Sequence, residues 1–152
     1  MNKRVLYFLC VVIACLMAAG CKKQLPDEPV RPTIKWGKQA VTYLDGQSCW
    51  YGTNEEEGIC DDPQSPAAFQ QSINAQAIVA ETGGIIRITF PIKPDVFTLT
   101  LARTDRSEEQ VGEPNQSRFR LPLKPGYYSY RLSAVWDKKN TASYHFGIHI
   151  KE

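Results

Sequence analysis

Several signatures of catalytic and metal-binding proteins are missing from this chain of 152 residues. It has no Gly-x-Ser-x-Gly elbow, no phosphate-binding glycine loop and no His-Glu-x-x-His stretch. The only histidines are His145 and His149, in a segment whose pattern predicts a strand. Four residues along a strand correspond to about 13 Å, too far to share one ion. We therefore predict no enzymatic activity and no cofactor, and we expect both histidines to be half-exposed surface residues.

Basic residues are also missing from a long stretch. Residues 39–86 contain no Lys or Arg but seven acidic residues, whereas the flanking segments 22–38 and 87–152 are net basic. The chain as a whole has 18 Lys and Arg against 16 Asp and Glu, and two of the bases lie at Lys3 and Arg4. Without those two the charges balance, which argues against nucleic acid as a partner because such proteins neutralise phosphates with clustered bases.

No apolar run is long enough to cross a membrane. The longest, Val5 to Met17, is 13 residues, and a spanning helix needs about 20. Lys3 and Arg4 precede it and the small residues Ala18, Ala19 and Gly20 follow, which is the pattern of an export signal. We therefore predict a signal peptide at 1–20.

The end of this segment resembles the lipobox of bacterial lipoproteins, in which small residues precede an acceptor cysteine. Ala19-Gly20-Cys21 matches, although Ala18 stands where that family usually has Leu. The resemblance implies cleavage before Cys21, a lipid such as palmitate on that cysteine, and a chain anchored on the extracytoplasmic face of the cell membrane. The alternative is an ordinary secretory signal followed by an incidental cysteine.

Residues 21–35 are expected to form a flexible lipidated tether, because Pro26, Pro29 and Pro32 and many charges leave little to bury. A single domain is then expected over 36–152. Its two cysteines, Cys49 and Cys60, are predicted to form a disulfide, since an exported compartment permits one. Two free thiols remain the alternative.

Alternating apolar residues dominate the second half of the chain. The even positions from Tyr128 to Trp136 and from Tyr144 to Ile150 are apolar, which predicts an antiparallel hairpin with one buried face. Shorter runs predict strands around residues 86–90, 97–101 and 119–123, and Asp45-Gly46 suggests a hairpin turn. A short helix is expected at 66–72, after a cap at Ser65.

About seven strands and one helix predict an all-β sandwich. The closing pattern PGYYSYRLSAVW, followed by ASYHFGIHI, resembles the last strands of immunoglobulin-like domains in exported bacterial proteins. With the lipobox, it is similar to small lipoproteins of Gram-positive bacteria. This resemblance implies an immunoglobulin-like sandwich at the cell surface and carries no activity with it.

The segment from Cys49 to Asp62 is the most unusual part of the sequence, because it combines adjacent aromatic residues with many acids. It could be a solvated acidic loop, a calcium site without EF-hand spacing, or a contact for a basic protein or a carbohydrate. In the binding interpretation its contact residues are Trp50, Tyr51, Glu55, Glu56, Glu57, Asp61 and Asp62. Alternatively, Trp50 and Tyr51 alternate in a strand and one of them enters the core.

Two functions follow from these patterns. The first is a non-catalytic binding module anchored through lipid at Cys21. The second is a structural or protective envelope lipoprotein, and a small enzyme or a calcium-binding domain comes after both.

Overall fold

The apolar alternation near the end of the chain forms a long two-stranded hairpin in the computed structural model. This structure describes residues 24–53, 56–61, 66–102 and 107–152, and it describes no side chains for residues 66 and 67. The elements run in the following order: β1 Thr33–Trp36, β2 Gln39–Ala40, β3 Leu44–Trp50, β4 Ile59–Asp61, α1 Pro66–Ala75, β5 Ile78–Glu81, β6 Ile85–Thr89, β7 Val96–Ala102, β8 Glu108–Val111, β9 Arg118–Arg120, β10 Gly126–Trp136 and β11 Asn140–Lys151.

The strands form two sheets. One has the order β2-β1-β6-β9, and the other has the order β4-β3-β11-β10-β7-β8. The second half of β11 also pairs with β5, in parallel. The prediction of an all-β sandwich with one short helix is confirmed, and α1 extends from Pro66 to Ala75. The immunoglobulin-like assignment stays a prediction.

The hairpin β10–β11 supplies the centre of the core. Its eleven register pairs run from Gly126↔Ile150 to Trp136↔Asn140. Asp137 takes a positive φ in the turn, and its Oδ1 accepts hydrogen bonds from the N–H groups of Lys139 and Asn140. Leu132 and Trp136 have no solvent exposure. Of the residues predicted to fill the core, Tyr128 alone is only partly buried; Tyr130, Leu132, Trp136, Tyr144, Phe146 and Ile148 are buried.

The predicted turn at Asp45-Gly46 is wrong. Both residues lie within β3, where the register against β11 shifts between Ala142 and Tyr144. A Cβ at Gly46 would lie 2.5 Å from Ser143 Oγ and 2.6 Å from the ring of His145. The glycine is therefore required for a close approach between strands at an irregularity, a role that sequence alone does not distinguish from a turn.

The predicted boundary between tether and domain is also wrong. Leu25, Val30 and Ile34 are buried in the core, and β1 begins at Thr33. The segment 24–35 therefore belongs to the folded domain, because its few apolar residues are spaced so that each reaches the core while most of the residues between them stay exposed. Leu123, by contrast, was predicted to continue a strand but lies beyond β9 and is 76% exposed.

Candidate functional site

The N-terminal segment (residues 24–32) is held against the domain by aromatic side chains. The indole N–H of Trp50 donates a hydrogen bond to the Pro26 carbonyl at 2.8 Å. The hydroxyls of Tyr144 and Tyr43 donate to the carbonyls of Val30 and Pro32 at 2.5 and 2.9 Å. These donors compensate for the lack of sheet pairing in the segment, since a buried carbonyl without a partner is costly. The segment is thereby fixed as one wall of a groove.

The hairpin of β3 and β4 supplies a second wall. Cys49 and Cys60 are directly opposite in the register of these strands, with their Sγ atoms 2.13 Å apart. This Sγ–Sγ distance is that of a disulfide, so the predicted pairing of the two cysteines is confirmed in their placement. The bond joins the short strand β4 to the sheet, so the exposed Ile59 and Asp61 stand at the rim of the groove.

Helix α1 supplies the third wall. It packs across the outer face of β11, where the rings of Phe69 and His145 meet edge to face at 4.9 Å. Burial, and the nearby Arg131, lower the pKa of His145 to about 4. The imidazole is therefore neutral at physiological pH and serves as part of the surface under the helix.

Between these walls lies a groove of about 580 Å³, which we call the side groove. Its volume falls within the range of ligand pockets, about 300–1,000 Å³. Apolar groups from three elements contribute to its lining, namely Leu44, Ile59 and Phe69. The larger part of its polar lining comes from the N-terminal segment, the strand β3 and the tip of β4.

The charges of the side groove are mostly negative. Asp27, Glu28, Asp45 and Asp61 line it, against the single base Arg31. Arg31 already pairs with Asp45, its Nη2 lying 2.9 Å from Oδ2. The side groove therefore presents three further carboxylates around an apolar lining, an arrangement that suits a ligand with both a cationic and an apolar part.

The structure separates the predicted contact residues of the Cys49–Cys60 segment. Trp50 is 4% exposed, and its ring lies edge to face with that of Trp136 at 5.3 Å. It is thus a core residue whose edge reaches the side groove, as in the alternative interpretation of the sequence. Asp61 lies at the groove rim, whereas Glu56 and Glu57 are exposed elsewhere on the hairpin.

Tyr51 is engaged within the domain. Its ring lies under the Lys139 ammonium at 5.5 Å, and its backbone N–H donates to Asn140 Oδ1 at 2.7 Å. Glu55 and Asp62 lie outside the described residues, as does the predicted lipid acceptor Cys21.

The histidines differ from each other in their surroundings. His149 is exposed and its ring lies 5.0 Å from that of Tyr127, while His145 is half-buried under α1. Within residues 24–53, 56–61, 66–102 and 107–152, no three His, Cys, Asp or Glu side chains come together as a metal site.

Sequence reasoning missed the N-terminal segment and α1 as parts of the site. The sequence did contain a signal that the N-terminal segment packs against the domain, namely the apolar residues Leu25, Val30 and Ile34. Apolar residues that recur through a charged, proline-rich stretch indicate packing rather than a free linker. The position of α1 over β11 had no local signal.

No protein-family model matches this chain, nor does any curated protein or solved structure. In the part of the chain that the structure describes, none of the helices has the length and apolar character to span a bilayer.

Proposed function

We propose that this protein is a lipid-anchored, non-catalytic binding module on the extracytoplasmic face of a membrane, and that its side groove binds a basic, partly apolar segment of a partner protein. The observation that carries the binding proposal is the side groove itself: carboxylates of Asp27, Glu28 and Asp61 surround an apolar lining, with the one base engaged by Asp45. The anchoring proposal comes from the lipobox at Ala19-Gly20-Cys21.

A peptide segment fits this groove better than a carbohydrate does. Sugars bind flat against exposed aromatic faces, and the Trp50 ring is buried against Trp136. A Lys or Arg side chain, in contrast, can place its aliphatic stem along Ile59 and Phe69 and its charged end at the carboxylates. An extended peptide carries such side chains at regular intervals.

The binding proposal is tested with a fluorescent octapeptide in which lysine and leucine alternate, and with its glutamate–leucine counterpart. Only the lysine peptide should bind, and raising the salt from about 50 to 500 mM should weaken it because exposed charges are screened. The paired variant Glu28→Gln with Asp61→Asn should bind about tenfold more weakly, equivalent to about 0.7 kcal/mol per charge.

The matched control is Glu81→Gln with Glu113→Gln, which removes the same two charges away from the side groove. It should change the affinity by less than about twofold. If both paired variants lose affinity equally, the net charge of the protein, and not the side groove, accounts for peptide binding. If the lysine peptide does not bind at all, the structural envelope role is favoured.

The anchoring proposal has a separate test. Mass spectrometry of the membrane-associated protein should find an N-terminal peptide beginning at a diacylated Cys21, and Cys21→Ala should release the protein from membranes. A mature protein that starts at another residue and carries no lipid contradicts it.

A further inference from the structure

Three basic residues lie side by side on the outer face of the four-stranded sheet. In the register of β1, β6 and β9, Lys35 is opposite Arg87, and Arg87 is opposite Arg118. All three are exposed, while their neighbours Ile34, Ile86 and Phe119 point into the core. Since adjacent strands are about 4.8 Å apart, the Cα atoms of these three basic residues lie within roughly 10 Å of one another.

Among the described residues, neither the strands that carry this cationic row nor the lining of the depression between them includes an acidic side chain. The strands β1, β2, β6 and β9 contain no Asp or Glu. The ion pairs resolved among the described residues do not involve any of the three bases. Thr33 and Thr89, which are also paired in register, add hydroxyl groups to the same shallow depression of about 500 Å³.

Like charges directly opposite each other on neighbouring strands destabilise a sheet. The row Lys35–Arg87–Arg118 therefore opposes folding in the free protein, and an external anion would relieve that repulsion. Hydroxyl groups beside guanidinium and ammonium groups are suitable donors to phosphate oxygens.

The end of the same face adds apolar groups to this basic surface. Ile85 is opposite Arg120 in the register and is 39% exposed, and Leu123 shortly beyond is 76% exposed. Lys124 follows Leu123 and is exposed. Exposed apolar side chains next to bases are typical of surfaces that lie in the headgroup region of a bilayer.

We propose that this outer face of the four-stranded sheet is a membrane-docking surface, which binds the phosphate groups of anionic lipids through Lys35, Arg87 and Arg118 and inserts Leu123 at its edge. Helix α1 covers the outer face of the other sheet, on the opposite side of the sandwich. Docking in this way directs the α1 wall of the side groove away from the bilayer. The inference does not depend on lipid at Cys21, because a surface of this kind acts without an anchor.

The test uses the chain from residue 22 onward, which contains every described element and no lipid. Its partition onto vesicles is measured by co-sedimentation, with phosphatidylcholine vesicles compared to vesicles that contain about one third phosphatidylglycerol. Binding is expected only to the anionic vesicles and should decrease with salt. Arg87→Gln with Arg118→Gln should lower the partition coefficient about 30-fold, since each base near an anionic surface contributes about fivefold.

Two control variants make the result specific. Lys93→Gln with Lys138→Gln removes the same two charges from exposed positions outside the cationic row and should change partition by less than about threefold. Arg87→Lys with Arg118→Lys keeps the charges and should bind nearly as well as the parent. The Gln pair should also raise the melting temperature, because it removes the cross-strand repulsion; thus a loss of binding cannot be attributed to unfolding.

A last set of measurements distinguishes binding to a membrane surface from binding to a soluble phosphate. Leu123→Ser should weaken vesicle binding severalfold, and glycerol 3-phosphate at millimolar concentration should not compete. Absence of binding to anionic vesicles, equal losses in the Arg87/Arg118 and Lys93/Lys138 variants, or full competition by glycerol 3-phosphate would each overturn the proposal.

Discussion

Shortening Leu25 to Ala should destabilise the domain by about 2–3 kcal/mol. Leu25 is 5% exposed and lies in a segment whose composition predicts a free tether. A buried Leu→Ala substitution costs about 2–5 kcal/mol, from the lost burial of the side chain and from the remaining cavity. The lower part of this range applies because the segment 24–32 lies at the edge of the core and can partly close over the cavity.

Urea unfolding of the unlipidated chain from residue 22 onward measures this effect. For an m-value of about 1.5–2 kcal/mol per molar, the midpoint should fall by roughly 1–2 M, with the m-value itself unchanged. Glu28→Ala is the matched control, since Glu28 is exposed in the same segment and its loss should change stability by less than about 0.5 kcal/mol. If Leu25→Ala and Glu28→Ala shift the midpoint equally little, the segment is a tether and Leu25 does not contribute to the core.

The remaining predictions concern the core, the disulfide and the half-buried histidine. Trp136→Ala should cost about 3–5 kcal/mol in chemical denaturation, because the ring has no exposure and its N–H donates to the Ile92 carbonyl at 2.8 Å; a loss below about 1 kcal/mol would contradict its burial. Replacing Cys49 and Cys60 together by Ser should cost about 3 kcal/mol, and non-reduced peptide mapping should find the two segments linked. The pKa of His145 is about 4 in the folded protein and 6.5 in the unfolded chain. As the pH falls, the imidazole is therefore protonated in the unfolded state at a higher pH than in the folded state. The stability that this group provides above pH 6.5 is therefore lost as the pH falls toward 4. The free energy of unfolding should differ between pH 7 and pH 5, and His145→Gln should reduce that difference by about 1 kcal/mol, after a discount for partial exposure. A variant with the same pH dependence as the parent would contradict the lowered pKa of His145.

The proposed binding surfaces are independent of each other in these experiments. Substitutions of Glu28 and Asp61 test the side groove, with a basic peptide as the ligand. Substitutions of Arg87 and Arg118 test the cationic row, with anionic vesicles as the ligand. Failure of one leaves the other intact, because the residues lie on different elements and bind ligands of opposite charge.

Local pattern determined a large part of the fold. The alternation from Tyr128 to Trp136 and from Tyr144 to Ile150 is a period-two signal over two long strands, and it defines which face of the hairpin is buried. The pairing of Cys49 with Cys60 was predictable by counting, because these are the two cysteines that remain once the predicted signal peptide and the predicted lipid acceptor are set aside. These features depend on residues close in sequence or on simple counting.

The sites were decided by tertiary structure. Whether Asp45-Gly46 turns or continues β3 depends on Ser143 and His145, which approach Gly46 from almost a hundred residues away. The cationic row exists only because three strands from separate parts of the chain pair in one register, so that Lys35, Arg87 and Arg118 become neighbours. The N-terminal segment has too little apolar surface to fold by itself and is ordered by donors on Tyr43, Trp50 and Tyr144. Sequence periodicity reports the face of each strand, but contacts between distant strands depend on how the sheets assemble, and no local pattern contains that information.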